Sequence, residues 1–335
     1  MKLHYIKHRP LSWLFMLVLV CSFLFCQSID INAEEESDDN AEEELSEYDL
    51  RLDLYQKTET LTNIPWYYLA AIDQYERNVN DFPDTRLTGI QVPDEEWYGS
   101  LAFDSESTHL QKTIQLFGGS GLDGNGNGFA DDQNDEDVLY TVGTKLFEQL
   151  SRGHTYDEIL EEYYDREKAA KLINQYAKLF RHFESVDLNK RVFPIPRYHN
   201  YSFQSTWGAG RGYGGNRIHE GTDIFASYGT PVRSVSYGIV EIKGWNRYGG
   251  WRVGIRDTDN VYHYYAHLSG FENDIEEGSI VEPGDVIGYV GSSGYGPEGT
   301  SGKFPPHLHY GMYRDNGKHE WAFDPYPHLK RWDFE

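Results

Sequence analysis

Apolar and polar positions change period near the middle of the chain. From Leu45 to Ile72, apolar side chains recur every three or four residues, at Leu50, Leu54 and Leu61 and then at Tyr68, Leu69 and Ile72, which is the spacing of one helix face. Ile64-Pro65 interrupts that run and starts a second helix, because proline is tolerated in a first helical turn. The helical period returns from Val138 to Leu150 and from Tyr156 to Phe183, the latter stretch rich in Glu, Lys and Ala and capped by Thr155 or Asp157. From Val192 the apolar runs shorten: Pro231 to Val235, Gly238 to Ile242, Arg252 to Arg256, Val261 to His267 and Val286 to Gly291, each bounded by turn residues. The predicted fold is α+β in two domains, a mainly α lobe over residues 47–187 and an all-β domain of short antiparallel strands over 192–335.

Ahead of these lie two segments of another kind. Lys2, Lys7 and Arg9 precede an apolar run from Leu11 to Phe25, broken only by Ser12 and Ser22 and short for a membrane span. The pattern predicts export, through a signal peptide cleaved after Ile31-Asn32-Ala33 or through a retained anchor over residues 1–33. Residues 34–46 form an acidic linker. Both cysteines, Cys21 and Cys26, belong to the apolar stretch, so the remainder of the chain has no thiol and no disulfide. A formal charge of -24, from 54 acidic and 30 basic residues, argues against a nucleic-acid binder with its basic footprint and disfavours tight docking on acidic membranes or polyanionic wall polymers. Membrane contact is expected only through the N-terminal segment.

Metal-type side chains concentrate in the last third: His219-Glu220-Gly221-Thr222-Asp223, His267, and His307-Leu308-His309. An imidazole and a carboxylate four residues apart, joined by a remote His-x-His pair, can close a three-ligand zinc site that leaves one position open to water. Mixed imidazole and carboxylate donors make zinc the first candidate and leave manganese and cobalt open. On a strand His307 and His309 point the same way. His199, His263, His319 and His328 read as ordinary surface or capped residues; His263 is the nearest rival to His267, because an even separation lets the two share a face. In the helical half, Asp123, Asn125, Asn127 and Asp131 with Gly128 follow the order of a calcium loop, but Asn134 stands where a bidentate Glu is needed. Calcium binding and a loop of Asx-turns are both open.

The motifs of the last third resemble those of M23 zinc peptidases, the lysostaphin-like wall hydrolases. The resemblance runs from His219-Glu220-Gly221-Thr222-Asp223-Ile224 through Tyr264-Tyr265-Ala266-His267-Leu268 and Val281-Glu282-Pro283-Gly284-Asp285 to Pro306-His307-Leu308-His309-Tyr310. It implies an M23 domain over 192–335, zinc held by His219, Asp223 and His309, and His267 and His307 left to deprotonate water and stabilise the oxyanion. The link from Tyr295 to Phe304 is longer than is usual in that family. Trp207, Tyr213, Tyr248 and Trp251 are candidates for the cleft wall or for core packing.

The helical half resembles lysozyme-like lytic transglycosylases through Ile64-Pro65-Trp66 to Glu76-Arg77-Asn78 and Gly89-Ile90-Gln91-Val92-Pro93, with Glu76 falling on the catalytic acid. Glu76 is thus a glycosidic acid, or a solvated helix residue in a lobe retained for glycan binding. The order of the two domains resembles that of sporulation endopeptidases that cut the L-alanyl-D-glutamate bond of spore cortex peptidoglycan. The implied partner is peptidoglycan, and the implied location is extracytoplasmic, in the cell wall, at the membrane or in the forespore envelope. Two other readings stand: a non-catalytic peptidoglycan-binding regulator, and a bifunctional wall hydrolase with a glycosidic site at Glu76.

Overall fold

The computed structural model describes residues 45–81, 85–101, 109–212 and 217–334. The signal or anchor at 1–33, nearly all of the acidic linker, and Tyr213 lie outside the described residues. The helical half comprises α1 (Glu47–Thr62), α2 (Trp66–Val79), α3 (Asp94–Tyr98), α4 (Gln111–Leu116), α5 (Asp135–Ser151), α6 (Tyr156–Tyr164) and α7 (Glu167–Phe183). Local chemistry sets their ends. Ser46 opens α1 and Thr155 opens α6, each in a capping box with the acid three residues on, Asp49 and Glu158. The stretch that reads as one helix from Tyr156 to Phe183 is two, because Asp165 turns into the left-handed region at φ 46° and closes α6. Tyr55, Leu69, Trp97, Leu139, Tyr176 and Phe180 fill the core between these helices.

The strands are β1 (Tyr201–Phe203), β2 (Gly210–Arg211), β3 (Arg217–Ile218), β4 (Thr222–Ala226), β5 (Pro231–Arg233), β6 (Gly238–Asn246), β7 (Gly250–Arg256), β8 (Val261–Phe271), β9 (Ile280–Val281), β10 (Val286–Val290), β11 (His307–Asp315) and β12 (Glu320–Phe323). The large sheet has the path β1-β4-β11-β8-β7-β6-β9, with β10 on β5 and β8 and β12 on β11, while β2 and β3 form a separate ribbon. Every described pairing is antiparallel. One expectation is corrected: the β half is not all-β, since it ends in helix α8 (Tyr326–Phe334). Pro327 sits in the first turn, where its missing N–H costs nothing, and Leu329 and Trp332 bury their side chains against the sheet core.

The helices and the sheet belong to one compact unit, Leu45–Glu335. Ile239 of β6 is buried in the helical core, and Tyr237 and Ile280 pack against it. Arg166, ahead of α7, grips the buried Asp315 of β11 with two parallel hydrogen bonds at 2.9 and 2.7 Å, and Lys168 adds a third contact at 2.9 Å. β11 therefore faces both halves: its C-terminal end is anchored to the helices, and its N-terminal end carries His307 and His309 between β4 and β8.

Candidate metal centre

Strand register assembles the donors. His309 of β11 lies directly opposite Asp223 of β4, and His219 enters from the turn between β3 and β4. His219 Nε2 is 2.8 Å from His309 Nδ1, and Asp223 Oδ1 is 3.1 Å from each of those nitrogens. Bonds of about 2.1 Å to a tetrahedral ion hold neighbouring donors roughly 3.4 Å apart, so this triangle needs only slight widening to accept zinc. The donor set fits the ion in chemistry as well, two imidazoles and one carboxylate. Gly221 makes the approach possible, because a Cβ there would stand 2.5 Å from His309 Cε1 and 2.7 Å from the Tyr310 carbonyl oxygen.

A surrounding set of contacts aims these ligands. His219 Nδ1 donates to the Thr206 carbonyl at 2.8 Å, which leaves Nε2 with its lone pair toward the centre. The Thr206 hydroxyl accepts from the Asp223 N–H, and Arg211 donates to Asp223 Oδ2 at 2.6 Å, leaving Oδ1 free for the ion. Burial tends to raise the Asp223 pKa, but hydrogen bonds with His219 and His309 outweigh it and hold the carboxyl far below its ordinary range.

His267 and His307 form the second pair, with ring centroids 4.9 Å apart. Each directs Nδ1 at a backbone carbonyl, His267 to Ser293 at 2.8 Å and His307 to Pro305 at 2.9 Å, so each turns Nε2 away from that bond. His307 Nε2 lies 3.7 Å from Asp223 Oδ1. Burial lowers both pKa values, that of His267 to about 3 with help from the neighbouring His309 and His307, so both rings are neutral bases near pH 7. The long link from Tyr295 to Phe304 supplies an aromatic wall: Tyr295 stacks on His267 at 5.8 Å, and Phe304 meets His267 edge-on at 4.7 Å and His307 at 5.1 Å.

His263 does not share the face of His267, although their even separation allows it. Strand β8 spends three steps from Tyr265 to Leu268 while β7 spends two from Val253 to Trp251, a bulge with His267 in the left-handed region at φ 63°. The bulge turns His267 into the cleft, whereas His263 stays buried between Asp257 at 2.9 Å and the Tyr310 hydroxyl at 2.7 Å. Trp251 packs on Trp245 and Phe271, while Tyr248 lines the cleft. Trp207 is half-buried in a turn. His319 is exposed, His199 sits against Tyr198, and His328 lies against Phe323 and Trp332. Arg211, Thr206 and the wall of Tyr295 and Phe304 were not singled out as site residues from sequence; the unusual length of the 295–304 link was the one available signal.

The calcium expectation at Asp123, Asn125, Asn127 and Asp131 is not supported. Asp123 accepts hydrogen bonds from the N–H groups of Gly126, Asn127 and Gly128, Asn125 and Asn127 each cap the residue two further on, and Asp131 accepts from Gln133. Buried Asp137 of α5 takes the N–H groups of Gly124, Asn125 and Asp131, and Asn134 caps α5. Among the described residues, the group of three His, Asp or Glu whose ligand atoms converge is His219, Asp223 and His309.

Glu76 is not solvated. It lies buried on α2 at a cavity of about 230 Å³ in the helical half, accepting hydrogen bonds from Tyr164 and Asn80, and burial raises its pKa.

Residues 217–325 match the model of Peptidase family M23. The chain is 54% identical over 291 residues to the L-Ala--D-Glu endopeptidase of Bacillus subtilis (strain 168), a match covering 84% of this chain and 88% of that protein. It is 33% identical over 140 residues to lysostaphin of Staphylococcus simulans, covering 39% of this chain and 27% of that protein. Among solved structures, the catalytic domain of the antimicrobial peptidase lysostaphin from Staphylococcus simulans aligns at 31% identity over 40% of this chain and 93% of that one, with a TM-score of 0.32.

Proposed function

The chain belongs to peptidase family M23, and from that premise we propose that it is a zinc-dependent endopeptidase that hydrolyses the L-alanyl-D-glutamate bond of peptidoglycan stem peptides. The observation that carries the reading is the donor triangle of His219, Asp223 and His309 with two neutral, backbone-held imidazoles beside it. The bond is taken from the relative that matches along most of its length.

His219 Nε2, His309 Nδ1 and Asp223 Oδ1 would hold the ion. A zinc ion there supplies a Lewis acid for the scissile carbonyl and for the attacking water. His307 or His267 accepts the proton that water loses, through an Nε2 left bare by its carbonyl-bound Nδ1. Protonated, that ring faces the oxyanion or returns the proton to the leaving amine of D-glutamate as the C–N bond breaks. The two imidazoles titrate as a pair, so base and stabiliser are roles of the pair. A non-catalytic regulator would not need this second pair held so tightly.

The test is the chemistry of the new amino terminus. Incubation of purified peptidoglycan with the protein and zinc is expected to release fragments bearing N-terminal D-glutamate. A different N-terminal residue would refute the assigned bond, and an unchanged polymer would refute the peptidase.

Action on the wall sets the place as extracytoplasmic, reached through the N-terminal segment, and the order of domains supports a role in spore cortex within the forespore envelope. The boundaries 47–187 and 192–335 are retained as a lysozyme-like lobe and a peptidase domain. The burial of Glu76 beside an apolar cavity favours a second, glycosidic activity, since desolvation raises the pKa of a carboxyl in the direction an acid catalyst needs. Release of anhydro-sugar ends by wild type, lost in Glu76→Gln, is the expected signature; glycan strands of unaltered length would dismiss it.

A further inference from the structure

Beside the metal centre lies a cavity of about 480 Å³ whose walls include Arg211, Arg217, Tyr248, Arg252, Tyr264 and Tyr295. In a chain of net charge -24, three arginines around one cavity that holds two glutamates are a local reversal of sign. Arg211 and Arg217 are direct cross-strand partners on the β2–β3 ribbon, so two like charges stand on one face, an arrangement that is unfavourable unless an anion offsets it. Arg211 has such an anion in Asp223. Arg217 has none among the described residues; its guanidinium lies 4.5 Å from the Tyr248 ring centroid and 5.8 Å from that of Tyr295. Two aromatic faces restrict the fork without using its hydrogen-bond donors. Of the cavity's carboxylates, Glu320 is already bonded to Arg256 and Lys168, and among the described residues Glu220 forms no ion pair with Arg217. Among the described residues, Arg217 therefore presents unused donors and an unpaired positive charge beside the metal centre.

The proposed substrate carries a group of matching chemistry. Glutamate has two carboxyl groups and one amine, so a D-glutamyl residue inside a peptide keeps one carboxylate outside the chain. We propose, resting on the L-alanyl-D-glutamate reading, that Arg217, braced by Tyr248 and Tyr295, binds that free carboxylate on the leaving side of the scissile bond and so selects D-glutamate over its amide. A planar guanidinium takes a carboxylate through two parallel hydrogen bonds, whereas an amide presents one acceptor and a clashing N–H pair. The preference appears mainly in KM, because the carboxylate is present before and during bond breaking.

The experiment compares two otherwise identical stem peptides, one with the free carboxylate and one with its carboxamide, in the zinc-loaded full chain. Wild type is expected to favour the carboxylate by about tenfold to a hundredfold in kcat/KM. Arg217→Ala should bring that ratio close to one, Arg217→Lys should keep part of it, and Arg252→Ala should keep most of it. Equal rates on both peptides in wild type, or an undiminished ratio in Arg217→Ala, overturn the assignment while leaving the bond reading intact. An equal loss in Arg217→Ala and Arg252→Ala also overturns it, since the preference would then belong to the general field of the cavity. If wild type cuts neither peptide although it digests peptidoglycan, the bond reading fails and the Arg217 assignment falls with it.

Discussion

A single left-handed residue decides which histidine of β8 can reach the substrate. His267 sits in the bulge at φ 63° and enters the cleft, while His263, four residues earlier, stays in the core with Asp257 and Tyr310. The two should respond oppositely to truncation. His267→Ala is expected to lower kcat by about 10²- to 10⁴-fold with zinc content retained. His263→Ala is expected to cost roughly 1–3 kcal/mol of stability by orphaning its buried partners, with kcat little changed, as denaturant titration and initial rates would reveal. Gly221→Ala should weaken zinc retention, because the added methyl falls 2.5 Å from His309 Cε1. At this scale the cluster of metal-type side chains was legible from spacing, whereas which three of them are ligands was legible through the family resemblance. The second imidazole pair was legible only by resemblance: strand parity alone puts His263 and His267 together, and an inserted residue that breaks parity leaves no mark in the pattern of apolar positions.

Elements were read more evenly. The period changes located α2, α5, β6, β8 and β10 because each has a face that must be buried; in α1 they found the helix but not its face, since Leu50 and Leu61 are exposed while Arg51, Tyr55, Thr58 and Thr62 are buried. The break between α6 and α7 was missed, since Asp165 and Arg166 fall on polar positions and interrupt no apolar spacing. Helix α8 was missed because it is short and follows strand-like sequence; tertiary burial of Leu329 and Trp332 decides it. The ion-pair seam also belongs to this scale. Burial would raise the Asp315 pKa, but Arg166 and Lys168 hold it far below the ordinary value. A depressed folded-state pKa contributes stability that is fully present above the unfolded carboxylate's pKa of about 4 and is lost as pH falls toward the folded value. Thermal midpoints should therefore decline below about pH 4, less steeply in Asp315→Asn. At neutral pH, Asp315→Ala should cost about 1–3 kcal/mol, because it removes the buried partner shared by Arg166 and Lys168, both partly open to solvent.

For the molecule as a whole, the helical half does more than precede the peptidase. Ile239 and Ile280 of the sheet region lie against the helical core, and Arg191 joins the halves through Asp257 at 3.0 Å and Asp259 at 2.6 Å. A fragment starting at residue 192 exposes Ile239 and leaves Asp315 without Arg166, so it should melt at lower temperature than the full chain. Composition argued against a nucleic-acid partner and the N-terminal pattern predicted export, yet neither could show that the two halves share one compact unit. The central claim, a zinc site of His219, Asp223 and His309 that drives peptide hydrolysis, is tested most directly by His309→Ala. Zinc content and mass-resolved peptidoglycan fragments should be measured side by side with wild type. The account predicts one zinc per wild-type chain and fragments starting at D-glutamate, with both lost in the variant; identical fragments from both proteins would contradict it.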